Sequence, residues 1–288
     1  MTKSSVPSIR QLDAPLGAVV EGFDGRLPPA PETILALKAA LREHHIVIFK
    51  DQRLADPDYL NFTSYFGAIY QPPADAPVLG ADASGRAPDI VLVANVENGV
   101  LGADDVSAHA DHQWTPKPSA SSFLYALETP SAGGMTSFYN LVAAYEALDE
   151  ATKAEIDGLR LITYNPFLRR KHPLPGGRPL YRTPDIAPLE PHVAHPLVRT
   201  HPESGRKLLF LGAGTEVEIV GYDPEAGQAL IARLRRHIAE PRFRYAHHWS
   251  VGDIVWWDNQ ATLHARDAFD NSERRVMKRI SLSGSRPF

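Results

Sequence analysis

The chain has 288 residues, 43% of them hydrophobic and 22% charged, and a formal net charge of −4, which supports one sizeable core in a single domain over residues 1–288. It has no basic stripe with interleaved aromatic residues and no apolar run able to span a bilayer, so nucleic-acid and membrane partners are not expected. The absence of cysteine excludes disulfides, haem–thiolate ligation and iron–sulfur clusters, and together with an N-terminus that lacks a signal-like apolar stretch it favours the cytoplasm.

Two helices and a strand are predicted in the first quarter of the chain. The residues from Pro31 to His45 place apolar side chains one helical turn apart, and the apolar run Ile46–Phe49 that follows is typical of a buried strand. A second helix begins at Asp56-Pro57, a cap followed by a residue favoured in the first turn, and ends before Gly67. The stretch 71–89 is rich in proline, glycine and alanine, and we expect a loop insertion there that covers a pocket.

The rest of the chain is predicted to contain short strands, a few helices and a second loop insertion at 165–191. Strands are predicted at 121–127, 135–138, 252–259 and 276–280, with a turn at 129–134 and helices that begin at Asn140, Asp149 and Asp223. This pattern indicates a mainly β fold with flanking helices and a double-stranded β-helix core, the jelly roll of cupin-like proteins. Closing a sheet in this way lets inward-facing residues that are distant in sequence converge.

One pair of residues, His109 and Asp111, has the spacing of two metal ligands. In an extended strand, residues two apart point to the same side, so an imidazole and a carboxylate lie next to each other. A third ligand, His264, would complete a set of two histidines and one carboxylate, which leaves open coordination positions and is expected of non-haem Fe(II) oxygenases. With three protein ligands, three positions remain open for other ligands.

Several motifs flank these ligands in a characteristic order. They are Val47–Gln52, Gly133–Thr136, His195–Pro202, Trp257–Asn259 and then His264, Arg275 and Arg279. Through them, most of the chain resembles the taurine dioxygenase and 2,4-dichlorophenoxyacetate dioxygenase (TauD/TfdA) family of Fe(II)- and 2-oxoglutarate-dependent oxygenases. The resemblance implies iron ligation by His109, Asp111 and His264, with hydroxylation of a C–H bond and release of succinate and CO2. It also implies a homo-oligomer, a dimer or a tetramer.

Two arginines near the C-terminus have implied roles in the same family. The resemblance assigns the distal carboxylate of 2-oxoglutarate to Arg275 and Thr136, and an anionic group of the primary substrate to Arg279. The residue pattern agrees, because Arg275 and Arg279 share one face of the predicted strand with Met277. A guanidinium is a planar fork that matches the two oxygens of a carboxylate.

The substrate is predicted to be a small anionic organic molecule, namely a sulfonate, an aryloxyalkanoate or an amino-acid-derived acid. The histidine that meets the sulfonate in taurine enzymes is missing from the stretch 67–72, which argues against taurine itself. Trp114 is a candidate wall of the substrate cavity and equally a candidate for core packing. His112 follows Asp111, so its side chain is expected to point away from the metal-facing side, and it is a further candidate for a substrate contact. The carboxylate of Asp111 favours hydroxylation over halogenation, because related halogenases lack it.

Two other functions use the same residues. A zinc-dependent hydrolase needs a similar ligand set but has no need of paired arginines to anchor a second dicarboxylate. A non-catalytic jelly roll that binds a small acid would not need an intact ligand set. The remaining histidines are expected to be structural, with His195 and His201 hydrogen-bonded around a turn and the adjacent His247 and His248 facing opposite sides, one packed and one exposed.

Overall fold

In a computed structural model of the chain, the residues described are 7–73, 79–80, 86–164, 193–212 and 217–288. The helices in these ranges are α1 (Pro31–His44), α2 (Asp56–Ser64), α3 (Leu141–Glu146), α4 (Glu150–Ile156) and α5 (Pro224–Ile238), with a 3-10 turn at Pro241–Phe243. The strands are β1 (Ser8–Gln11), β2 (Ala18–Glu21), β3 (Ile46–Phe49), β4 (Val91–Ala94), β5 (Val100–Leu101), β6 (Val106–His109), β7 (Ser121–Glu128), β8 (Thr136–Asn140), β9 (Arg160–Thr163), β10 (Ala194–Pro196), β11 (Val198–Thr200), β12 (Lys207–Leu209), β13 (Val217–Ile219), β14 (Arg244–His247), β15 (Ile254–Asp258), β16 (Thr262–Arg266) and β17 (Val276–Leu282). No helix in the described part is long and apolar enough to cross a membrane.

Two sheets form the centre of the molecule. The larger has the strand order β1-β2-β3-β15-β7-β17-β4-β5, and the smaller has the order β14-β8-β16-β6. A buried cluster between them includes Phe138 from the smaller sheet and Trp257 and Met277 from the larger one. The rings of Phe138 and Trp257 lie 5.8 Å apart. Both sheets therefore pack face to face, as the predicted jelly-roll core requires.

The outer faces of both sheets are covered by helices. Leu37 of α1 and Phe62 of α2 pack against Phe123 and Trp256 of the larger sheet. On the other side, the apolar face of α5 packs in a cluster with Leu263 of the smaller sheet. Because β15 is covered on both faces, all five of its residues are buried, which explains its unbroken apolar sequence.

Most predicted elements are confirmed within one or two residues, and their boundaries follow from local chemistry. The side chains of Asn140, Asp149 and Asp223 accept hydrogen bonds from backbone N–H groups at the starts of α3, α4 and α5, as predicted. Helix α1 ends because His45 adopts a left-handed conformation, with a φ of 61°. Part of the predicted loop insertion at 71–89, and all of the one at 165–191, lie outside the described residues, so the lid role remains a prediction.

Candidate active site

The two histidines of the predicted ligand set lie on neighbouring strands. His109 is the last residue of β6 and His264 is the central residue of β16, and the antiparallel register pairs them directly. Directly opposed residues carry their side chains next to each other, and the two imidazole rings are 4.2 Å apart between centroids. The sheet therefore brings together two residues that are far apart in the sequence.

Asp111 reaches the same place in a different way from the one predicted. The expectation that His109 and Asp111 share one strand is wrong, because β6 ends at His109 and Asp111 begins a turn. Asn259, just after β15, holds that turn with a pair of hydrogen bonds to the backbone of Asp111. Its Oδ1 accepts from the Asp111 N–H at 2.7 Å, and its Nδ2 donates to the Asp111 carbonyl at 2.9 Å. Both partners are buried, so this clamp replaces the strand as the element that orients the carboxylate.

The three side chains together form a compact set of metal ligands. One ligand atom from each of His109, Asp111 and His264 lies within 4.8 Å of the other two. Nε2 of His109 is 3.6 Å and Nε2 of His264 is 3.9 Å from Oδ1 of Asp111. Nδ1 of His109 lies 2.8 Å from the carbonyl oxygen of Ser107, which fixes the tautomer with its proton on Nδ1. Nε2 of His109 then carries the free lone pair on the side of the ring that faces Asp111, where a metal would bind.

The electrostatics of the site keep these ligands in the protonation states that a metal needs. Burial raises the pKa of the Asp111 carboxyl, but the Arg279 guanidinium and neighbouring His264 outweigh burial and hold that pKa well below its ordinary value. Arg279 Nη1 donates to Asp111 Oδ1 at 3.1 Å, and Ser122 Oγ donates to Oδ2 at 3.3 Å. Burial, followed by the proximity of His109, lowers the pKa of His264 to about 3. Near neutral pH the carboxylate is thus charged and His264 is neutral.

Arg275 is a buried cation, and no carboxylate among the described residues lies beside it. Its side chain is fully buried, its Nε donates to the carbonyl of Gly134 at 3.2 Å, and its Nη2 has no hydrogen-bond partner within the described ranges. Burial, with a smaller contribution from Arg266, lowers the pKa of Arg275 to about 9. Thr136, the first residue of β8, is also buried, and its Oγ1 accepts a hydrogen bond from Nε1 of Trp249 at 2.9 Å. A buried guanidinium with an unused N–H is the arrangement expected where an anion binds.

Arg279 lies two residues beyond Met277 on the same face of β17. It also borders a pocket. Tyr70 and His112 line this pocket, and their rings stack at 4.1 Å with an angle of 19° between planes. Its other walls come mainly from the described parts of 71–89 and from neighbouring apolar residues, among them Ile69, Pro72, Leu79 and Val91. The pocket thus combines these apolar residues with Arg279, and Asp89 and Ser281 line it as well.

Two substrate candidates occupy this region differently. His112 has a left-handed backbone conformation, with a φ of 60°, which turns its ring into the pocket beside Arg279. Nδ1 of His112 lies 3.1 Å from Ser119 Oγ, and burial lowers its pKa to about 4. Trp114 is partly buried, and its ring contacts the edge of His112 at 5.9 Å. The contact between Trp114 and substrate remains a prediction.

Sequence reasoning missed several residues that support the site. Asn259, Ser122 and Tyr70 contact predicted site residues, and Arg279 contacts Asp111 directly, whereas only a substrate contact was expected. Asn259 belongs to the motif Trp257–Asn259 noted in the sequence, but its contact with the backbone of Asp111 was not predicted. The other histidines behave as predicted. Nε2 of His195 is hydrogen-bonded to the carbonyl oxygen of Thr115, and Nε2 of His201 is hydrogen-bonded to Oδ2 of Asp258. His247 is buried, and His248 is exposed.

Comparison with known proteins agrees with this fold. The profile of the family described as taurine catabolism dioxygenase TauD, TfdA family matches residues 8–281. The chain belongs to this family, and its predicted jelly-roll class is confirmed by structural neighbours that cover nearly the whole chain. It is a 2-oxoglutarate-dependent dioxygenase, an oxidoreductase whose co-substrates are 2-oxoglutarate and O2.

Three similar proteins illustrate the relationship. The chain is 30% identical to pentalenolactone F synthase of Streptomyces arenae, covering 93% of this chain and 92% of that protein. It is 31% identical to the (S)-phenoxypropionate/alpha-ketoglutarate-dioxygenase of Sphingobium herbicidovorans, with coverage of 96% and 94%. Among solved structures, that of AAD-2 in complex with Mn(II) and N-oxalylglycine superposes with a TM-score of 0.79 at 30% identity, covering 98% of this chain and 99% of that one. The hydrolase and non-catalytic alternatives find no support in these relatives.

Proposed function

We propose that the chain uses Fe(II), held by His109, Asp111 and His264, to hydroxylate a C–H bond of a small organic anion. The observation that carries this proposal is the ligand set itself, because two imidazoles and one carboxylate converge within 4.8 Å. This donor set suits a non-haem iron that must keep positions open for its co-substrates. When bound, the iron and 2-oxoglutarate supply the oxidising chemistry, in which 2-oxoglutarate is decarboxylated to succinate and CO2.

We assign the distal carboxylate of 2-oxoglutarate to Arg275 and Thr136. In support, Nη2 of Arg275 is buried without a hydrogen-bond partner in the described structure, and no carboxylate within bonding distance compensates its charge. A dicarboxylate would supply that charge, and the hydroxyl of Thr136 would add a second donor. A metal-dependent hydrolase would have no use for this buried cation.

We assign the anionic group of the primary substrate to Arg279, with Trp114 and His112 as further substrate contacts. The supporting observation is that the guanidinium of Arg279 borders a pocket that also contains apolar residues such as Ile69 and Val91, together with one carboxylate, that of Asp89. The similar protein from Sphingobium herbicidovorans is named for phenoxypropionate, an aryloxyalkanoate. We therefore propose an aryloxyalkanoate, a sulfonate or an amino-acid-derived acid as the substrate class.

Further proposals concern the whole protein. We propose that residues 1–288 form one domain, that it assembles as a homodimer or homotetramer, and that it works in the cytoplasm without a nucleic-acid partner. Size-exclusion chromatography with light scattering measures the assembly state directly, and a monomer at micromolar concentration would contradict the proposed oligomer.

Metal dependence is the decisive experiment. Succinate formation is measured with Fe(II), Zn(II) or no metal, across a panel of small carboxylates and sulfonates. Asp111→Ala and His264→Ala should abolish Fe(II)-dependent succinate formation, while circular dichroism shows that the fold is retained. Full activity of either variant, or activity with Zn(II) alone, would overturn the proposal.

The substrate assignment needs a separate control, because Arg279 also contacts Asp111. Arg279→Gln should raise KM for the primary substrate, and the amide of a true acid substrate should show a kcat/KM at least about 100-fold lower than the acid. Lys278→Gln is the matched control, since Lys278 immediately precedes Arg279 on β17 and pairs with Asp56 on the opposite face. Equal kcat/KM values for an acid and its amide would show that Arg279 does not bind an anion.

A further inference from the structure

Trp249 lies beside both residues that we assign to the distal carboxylate of 2-oxoglutarate. It belongs to the turn between β14 and β15, and its indole Nε1 donates to Thr136 Oγ1 at 2.9 Å. The guanidinium carbon of Arg275 lies 6.0 Å from the centroid of the same ring. One side chain thus contacts the hydroxyl and the cation of the proposed binding pocket at the same time.

The direction of the hydrogen bond between Trp249 and Thr136 has a chemical consequence. The indole N–H can only donate, so the hydroxyl oxygen of Thr136 must be the acceptor. A hydroxyl has one proton, and with its oxygen accepting from the indole that proton points elsewhere. A carboxylate can only accept hydrogen bonds, so it needs this proton directed toward it.

We propose that Trp249 is a positioning residue that fixes the Thr136 hydroxyl as a donor to the distal carboxylate of 2-oxoglutarate. This inference rests on the proposed function, because it takes Arg275 and Thr136 as the anchors of that carboxylate. Trp249 orients a group that meets the co-substrate, and it has no part in the reacting atoms. It therefore affects the affinity for 2-oxoglutarate and leaves the chemical step unchanged.

The surroundings of Trp249 hold its ring in one orientation. The ring of His247 meets it edge to face, with 4.6 Å between centroids and 88° between planes. His247 is fixed in turn by Asp253, whose Oδ2 lies 3.1 Å from His247 Nε2 and also accepts from the backbone N–H of Ser250 at 3.1 Å. Lys50 completes the group through an ion pair of 2.6 Å with Asp253. Hydrogen bonds and an ion pair on both sides of the turn thus keep the indole N–H aimed at Thr136 before any ligand arrives.

The experiment is a double-mutant cycle read out by equilibrium binding. Isothermal titration measures the Kd of 2-oxoglutarate for Mn(II)-loaded protein, and 2-oxobutyrate, a 2-oxo acid without a distal carboxylate, is the comparison ligand. The variants are Trp249→Phe, which keeps a ring near Arg275 and removes the N–H, Thr136→Val, which removes the hydroxyl, and the double variant. Trp256→Phe is the matched control, because it also removes an indole N–H donated to a hydroxyl, 3.0 Å from Ser121 Oγ, but in the cluster beneath α1 and α2.

We expect Trp249→Phe to raise the Kd of 2-oxoglutarate by about 5- to 10-fold, less than the loss of a whole hydrogen bond to a charged group, because the Thr136 hydroxyl remains and loses only its orientation. The same change should alter the Kd by less than about twofold in the Thr136→Val background, and for 2-oxobutyrate in any background. In succinate assays Trp249→Phe should raise KM for 2-oxoglutarate while kcat at saturation stays within about twofold. The Trp256→Phe control should bind 2-oxoglutarate as the unmodified protein does.

The outcomes separate this inference from the proposed function. If the unmodified protein fails to prefer 2-oxoglutarate to 2-oxobutyrate, or if Thr136→Val and Arg275→Gln bind it normally, the proposed co-substrate pocket is wrong and the role of Trp249 falls with it. If those two variants bind weakly but Trp249→Phe binds normally, only the role of Trp249 is overturned. An equal loss from Trp249→Phe in the Thr136→Val background would likewise show that Trp249 does not act through Thr136.

A measurement on the unmodified tryptophan covers the case in which Trp249→Phe does not fold. The chain has four tryptophans, so 15N-indole labelling of Zn(II)-loaded protein gives four N–H signals. Thr136→Val identifies the signal of Trp249 as the one that moves most. That signal should shift on addition of 2-oxoglutarate and remain nearly unchanged with 2-oxobutyrate, and equal shifts with both ligands would contradict the proposal.

Discussion

Replacement of Arg275 by methionine should stabilise the ligand-free protein and weaken 2-oxoglutarate binding at the same time. The side chain of Arg275 is 1% exposed, and burial lowers its pKa from 12.5 to about 9. Because the pKa in the unfolded chain is higher than in the folded one, the unfavourable effect of burying this charge is fully present below about pH 9. One pKa unit corresponds to about 1.4 kcal/mol, so the charge destabilises the ligand-free fold by roughly 5 kcal/mol at pH 7.

Two effects reduce the expected gain in stability. Arg275→Met loses the hydrogen bond that Nε donates to Gly134 at 3.2 Å, a loss of about 1 kcal/mol. Relaxation and water entry around a buried charge lessen its unfavourable effect, and replacing buried charges with apolar residues of similar size has typically added about 1–4 kcal/mol. We therefore expect the free energy of unfolding to rise by about 2–4 kcal/mol in Arg275→Met.

Urea unfolding at pH 7 tests both directions of this prediction. Without ligand, Arg275→Met should unfold at higher urea concentration than the unmodified protein, and Arg274→Met, which removes an exposed pair with Glu128, should change the free energy by less than about 0.5 kcal/mol. With Mn(II) and saturating N-oxalylglycine, the unmodified protein should gain stability and Arg275→Met should gain little. A less stable Arg275→Met in the ligand-free arm, or equal stabilisation by ligand in both proteins, would refute the reasoning.

Three further predictions concern other parts of the site and fold. Gly134 has a φ of +65°, and in Gly134→Ala the new Cβ would lie 3.2 Å from Cδ of Arg275. The Arg275 side chain would have to shift, so KM for 2-oxoglutarate should rise about tenfold. An unchanged KM would contradict the close approach. Asn259→Ala removes both hydrogen bonds to the Asp111 backbone, so the Kd for Mn(II), measured by titration, should rise about 10- to 100-fold. An unchanged Kd would show that the turn at Asp111 keeps its conformation without Asn259. Burial lowers the pKa of His195 to about 4, so as the pH drops the unfolded chain binds a proton at this histidine before the folded chain does. The free energy of unfolding should therefore fall between about pH 6.5 and pH 4. His195→Gln should reduce this dependence of the unfolding free energy on pH, measured by urea titrations, and an equal dependence in both proteins would refute the prediction.

The sequence was sufficient to predict the elements whose signals are local. The caps Asn140, Asp149 and Asp223 act through bonds to residues three positions further on, so they could be recognised without any tertiary information. The alternation along β17 also follows from the chain alone. Met277 is buried between the sheets and Ile280 on the opposite face, with Arg279 on the same side as Met277.

The contacts that could not be predicted join residues distant in sequence or depend on backbone irregularities. The clamp between Asp111 and Asn259 spans 148 positions, and the bond between Trp249 and Thr136 spans 113. Neither has a local pattern, because each depends on how the two sheets pack. Asp111 does lie beside His109 and His264, as predicted, but a turn clamped by Asn259 brings it there and the predicted strand does not.

The charges of the site give a reason for the two arginines, Arg279 within β17 and Arg275 just before it. Arg279 forms an ion pair with Asp111, whereas Arg275 has no carboxylate partner within bonding distance in the described structure. In the proposed site, a bound divalent metal, whose imidazole ligands are neutral, would together with these two arginines and one carboxylate give three positive charges. The dianion 2-oxoglutarate would neutralise two of them, with Arg275 as the proposed contact of its distal carboxylate. One positive charge then remains beside Arg279, which a monoanionic substrate would balance and a neutral or dianionic one would not.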